Sequence, residues 1–123
     1  MDRSRNCHAM KKNTLFVVFA IFFIIPAIYH LVAVFYQLNT SPIWRNLLFV
    51  GINLFGAYGV LKRPAYFLYF FAALLLQQFY SHGSDLIDMW DLQHKIDWIS
   101  LSVLVVMPVI FVFLILDKLG KLK

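Results

Sequence analysis

The sequence predicts an all-α fold: a polytopic membrane protein built as an antiparallel bundle of four transmembrane helices, with a short interfacial helix on its outer side. Three observations carry that prediction. Hydrophobic residues make up 62% of the 123-residue chain and charged residues only 14%, which is more apolar surface than a water-soluble domain of this size can hide. Uncharged apolar stretches recur four times, at lengths near what a hydrocarbon layer of about 30 Å requires. The cations collect at the ends that four crossings would bring to one side of the bilayer.

The first span is expected over residues 14–36, inside a run without charge between Lys12 and Arg45. Its flank of Arg3, Arg5, Lys11 and Lys12 has the basic character of a signal peptide, but the apolar run is too long and no Ala-x-Ala pattern follows, so an uncleaved signal anchor is expected. A second span over 45–61 closes at Lys62-Arg63-Pro64, where a proline that disfavours helix in the residue before it makes a tight turn. The third span covers 65–82. Residues 85–96 follow as the interfacial helix, with Ser84 as N-cap, Asp85 in the first turn and Asp91 one turn before Lys95. Leu86, Ile87, Met89, Trp90 and Ile96 then share one side, and Asp88, Asp91 and Lys95 the other. The fourth span, 98–116, stops at Asp117-Lys118.

Residues 1–123 therefore form a single transmembrane domain, multi-pass, with both termini cytoplasmic and the plasma membrane as the expected location. Arg3, Arg5, Lys11, Lys12, Lys62, Arg63, Lys118, Lys121 and Lys123 fall inside, which leaves only Arg45 and Lys95 of the 11 cations outside. The outer connector carries Asp85, Asp88, Asp91 and Asp97, and Trp44, Trp90 and Trp98 are placed at the outer headgroup level. The expected partners are the lipid bilayer and either further copies of the chain or another membrane protein.

The same composition excludes several classes. Too few charges remain for a disordered chain, a coiled coil or a nucleic-acid-binding module. One cysteine, Cys7, allows no intramolecular disulfide and no paired-thiol chemistry, and Cys7 and His8 read as an exposed basic tail. Proton-coupled export needs a membrane-buried carboxylate, and none of the four spans contains Asp or Glu.

Polar side chains in hydrocarbon are costly, so their placement is informative. Tyr29, His30, Tyr36 and Gln37 share an arc of the first span with Pro26 and Ala33, and His30 lies about 9 Å below Tyr36 at 1.5 Å per residue. Arg45, Asn46, Phe49, Asn53 and Gly56 share a face of the second, and Gln77, Gln78, Ser81, His82 and Asp85 an arc of the third. Ser100 and Ser102 point different ways, so the fourth span reads as a packing helix. Because the polar arcs all lie in the outer half, an outer-facing pocket is expected, lined by His30, Gln37, Arg45, Asn46, Asn53, Gln77, Gln78 and His82. The competing expectation is that these amides and imidazoles serve only as interhelical hydrogen bonds. His82, Asp85, Asp88, Asp91, His94 and Asp97 recur every three residues, a period that drifts about 60° per step around a helix, so solvated acids account for most of the series. The one-turn pairs His82-x-x-Asp85 and Asp91-x-x-His94 raise the competing expectation of a divalent metal on His30, His82 and Asp85.

These residues support three functional expectations. The first is a binding module for an ion, a lipid headgroup or a small amphipathic ligand such as a quinone. The second is an accessory subunit of a larger membrane complex, docking through Phe67, Phe70, Phe71 and Phe79. The third is a metal-dependent membrane enzyme.

Overall fold

The computed structural model describes residues 3–39 and 41–122, with side chains from residue 12 onward. Among the described residues the protein is all-helical, with four helices and no strand: α1 (Arg3–Tyr36), α2 (Ile43–Lys62), α3 (Phe67–Gln93) and α4 (Trp98–Lys118). Cys7 and His8 belong to the stretch whose side chains lie outside the described residues. The chain divides into two compact units, one reaching to Pro64 and the other running from Ala65 to Leu122. Each is a pair of helices.

In the first unit α1 and α2 pack antiparallel. Residues that climb α1 meet residues that descend α2: Asn13 and Phe16 meet Arg63, Phe23 meets Gly56, and His30 meets Asn46. The buried stripe of α1, Phe16, Phe19, Ala20, Phe23 and Ala27, follows the helical repeat. It faces small residues on α2, where Gly56, Ala57 and Gly59 are buried and permit close approach. A Cβ at Gly56 would come within 2.8 Å of the Phe23 ring, so only glycine fits there. Pro26 sits inside α1 and denies the Phe22 carbonyl its helical donor. The expected turn at Lys62-Arg63-Pro64 is present: Arg63 adopts φ 50° and ψ 47°, its N–H closes on the Gly59 carbonyl at 2.7 Å, and Pro64 follows.

The second unit repeats the plan. Phe67, Phe71 and Leu74 on α3 and Ser100, Met107, Ile110 and Leu114 on α4 are buried at helical spacings. Phe71 stacks on Phe111 at 6.1 Å, below the pairing of His82 with Ser100 and above that of Tyr69 with Lys118. Phe67 and Phe71, expected on a docking face, are instead core residues, and only Phe70 and Phe79 of that set are exposed.

One expected element is absent as a separate piece. α3 runs unbroken for 27 residues, about 40 Å, so the segment expected as an interfacial helix over 85–96 is its last turns as far as Gln93. Ser84 suits an N-cap locally, but a cap acts only where the backbone ladder breaks. Gly83 alone does not break it, since one interior glycine costs only about 1 kcal/mol. Termination comes at His94, whose left-handed backbone (φ 50°, ψ 35°) returns its N–H to the Trp90 carbonyl.

Two helical stretches, Lys12–Tyr36 and Trp98–Lys118, are long and apolar enough to cross a membrane. α2 and α3 are diluted, α2 by Arg45, Asn46 and Asn53 and α3 by Gln77, Gln78, Ser81, His82 and its aspartates. Large apolar side chains cover the outward faces, among them Val17, Ile21, Ile25 and Ile28 on α1 and Val105, Val109 and Val112 on α4.

Candidate functional site

Near the α1–α2 connection lies a chain of hydrogen bonds whose polarity can be worked out from one end. The backbone N–H of Ser41 donates to Asn39 Oδ1 at 3.1 Å, which identifies that atom as oxygen. Asn39 and Asn46 then exchange a pair of bonds, Asn46 Nδ2 donating to Asn39 Oδ1 at 3.1 Å and Asn39 Nδ2 donating to Asn46 Oδ1 at 3.2 Å. Asn46 Oδ1 can only accept, so His30, 2.9 Å away through Nδ1, must donate to it. The imidazole is thereby held with its proton on Nδ1. Its ring stacks on Phe49 at 4.9 Å and meets Tyr29 edge-on at 5.4 Å. Asn46 is buried, and both of its amide groups are used.

The second unit holds its histidine by the same device. Asp97 caps α4, one carboxylate oxygen accepting from the backbone N–H groups of Ile99 and Ser100 and the other from the Ser100 hydroxyl at 2.6 Å. The hydroxyl has spent its proton, so at 3.0 Å it accepts from His82 Nδ1. That hydroxyl bond, foremost, pulls the Asp97 carboxyl below its usual range; the Ser100 and Ile99 amides and His82 act the same way, against partial desolvation.

The other expected site residues have individual roles. Asn53 donates to the Phe49 carbonyl of its own helix at 2.8 Å, and Gln78 donates to its neighbour Gln77 at 2.7 Å. Arg45 is exposed, with its guanidinium 5.8 Å from the Phe49 ring. Gln37 is exposed at the end of α1 and takes φ 48°, so its backbone, and not its amide, is what the structure uses. Among the described residues no group of three or more His, Cys, Asp or Glu side chains is arranged to hold a metal ion, which removes the basis for the expected set of His30, His82 and Asp85. Within α3 the three-residue spacing advances about 300° per step, so His82, Asp85, Asp88 and Asp91 spread around the helix, while His94 is its left-handed C-cap and Asp97 the N-cap of α4.

Sequence reasoning missed Asn39, Ser41 and Ser100 as partners. The first two stand in a connector rich in turn-forming residues, and Asp97 with Ser100 three residues on is a helix-start pattern. It also missed a groove of about 430 Å³ in the second unit, lined by Leu86, Ile87, Trp90, Lys95, Ile96 and Leu101. The last turns of α3, the 94–97 connector and the first turn of α4 form its walls, so it depends on the hairpin being closed. Its lining is apolar except for Lys95, and its volume falls in the range of about 300–1,000 Å³ usual for small-molecule sites. Comparison with protein-family models, with curated proteins and with solved structures finds nothing that matches this chain.

Proposed function

We propose that this chain is a four-span integral membrane protein with cytoplasmic termini, resident in a plasma membrane, and that it holds a small amphipathic molecule in the groove at the outer end of its second hairpin. The groove is the observation that carries the reading: a ligand-sized concavity with an apolar wall and a single cationic residue. The polar side chains first considered for a pocket are largely engaged in bonds of their own, His30 and Asn46 in one hairpin and His82 and Ser100 in the other. What remains for recognition is therefore apolar area with a charged edge. The membrane setting is supported by the two long apolar helices and by exposed apolar faces that in water would form patches well beyond a few hundred Å². The cation distribution supports the orientation.

Two experiments test the proposal. Membrane-impermeant maleimide applied to intact cells should label Leu92→Cys in a Cys7→Ser background and leave Cys7 of the native chain unlabelled; labelling of Cys7 would overturn the orientation. Mass spectrometry of what copurifies with the protein in lipid nanodiscs should find one amphiphile retained by the native chain and lost from Ile87→Trp. That variant fills the groove from an exposed position, so the fold survives. Equal recovery from both proteins, or none from either, overturns the binding reading.

A further inference from the structure

Deepening the groove reading, on which this rests, we infer that the ligand is a single-chain amphiphile with one negative charge, its tail on Leu86, Ile87, Trp90, Ile96 and Leu101 and its head on the Lys95 ammonium. Five charged residues, Asp85, Asp88, Asp91, Lys95 and Asp97, occupy this end of the hairpin, and only the lysine lines the groove. The wall itself is apolar, so Lys95 contributes its methylene stem and carries its ammonium at the mouth, as long cationic side chains do beside apolar surface. Among the described residues that ammonium has no ion-pair partner, although four carboxylates stand within ten residues of it in sequence. Asp97, the nearest in sequence, is turned away to cap α4 and bind Ser100. An anion at the mouth would meet an unspent cation.

The neighbouring acids set the charge of the head. One ammonium lines the groove, so one negative charge neutralises it, and each further charge meets only repulsion from the exposed carboxylates Asp88 and Asp91 on the last turns of α3. The volume suits one chain more readily than two. Trp90 gives the tail a flat, rigid wall at the depth where amphipathic rings settle.

Competitive photolabelling tests the inference. The native protein in nanodiscs of neutral lipid is labelled with palmitic acid bearing a mid-chain diazirine, and the labelled peptides are mapped by mass spectrometry. Label should fall on residues 86–101 and be displaced by palmitate about fivefold better than by palmityl alcohol, the size expected of one half-exposed charge-assisted contact. Lys95→Gln should abolish that preference and Lys95→Arg should keep it. Phosphatidylglycerol competing as well as palmitate would overturn the single-chain part, since both carry one charge. Equal competition by acid and alcohol in the native protein, with label still on 86–101, overturns the anionic head and leaves the groove reading standing. Label spread without saturation over all four helices overturns both.

Discussion

Removal of the Asn46 amide is the most direct test of how the first hairpin is held. Asn46→Ala deletes the acceptor for His30 Nδ1–H at 2.9 Å and both bonds exchanged with Asn39, at 3.1 and 3.2 Å. Hydrogen bonds between membrane helices average about 0.6 kcal/mol each, so three give a loss of about 2 kcal/mol. His30→Phe keeps an aromatic ring on Phe49 and deletes only the donor, for a loss of about 0.6 kcal/mol. The two residues share a bond, so the double variant should fall short of the sum of the single losses by that same amount, about 0.6 kcal/mol. Equilibrium unfolding of the four proteins by SDS in mixed micelles, followed by far-ultraviolet circular dichroism, measures the cycle. Additivity to within about 0.3 kcal/mol would refute the argument, since two side chains that exchange a proton donor and acceptor must couple.

Three further outcomes are expected. Gly56→Ala should destabilise by about 1–3 kcal/mol in the same assay, because the Cβ meets the buried Phe23 ring, whereas Gly51→Ala, with nothing within 4 Å, should be neutral or gain up to about 1 kcal/mol of helix propensity. Gln37→Gly should stabilise by about 0.5–1 kcal/mol by relieving the positive φ; a loss instead would show that the amide does more than end α1. The Asp97 carboxyl lies below its ordinary value of 3.8, so its contribution to the second hairpin is fully present above that pH and is lost as the pH falls through the lower folded value. Protection of the Ile99 and Ser100 amides, corrected for intrinsic exchange, should therefore weaken below about pH 4 in the native protein. In Asp97→Asn that protection should not vary with pH; an identical profile in both would remove Asp97 from the argument.

What could be read from the chain without coordinates follows from which forces act locally. The apolar runs and the stop at Lys62-Arg63-Pro64 are local properties, and each expected span falls within or across one helix, although α1 begins earlier, at Arg3, and α3 ends later, at Gln93. Helical periodicity tells which face a residue occupies and nothing about who stands opposite. His30 and Asn46 therefore read as the lining of a pocket, although each is the other's partner across one hairpin, with Asn39 and Ser41 of the connector supplying the remaining bonds. Ser100 has no role legible in the sequence, in a span that reads as a packing helix, for a related reason: a single hydroxyl carries no pattern of its own, and its role depends on Asp97 before it and on His82 from the other helix. In the first hairpin His30 and Asn46 thus bond beside the connection, where a bond between helices opposes fraying most directly because the ladder ends there, while in the second His82 ties the first turn of α4 to α3 about three turns before α3 ends. Polar groups used in that way are poor ligand donors. In the second hairpin the last turns of α3 run past His82 to Gln93, and that overhang, closed by Lys95, Ile96 and Leu101, builds the groove. The helix that sequence reasoning broke at Ser84 is thus the one whose continuity makes the groove.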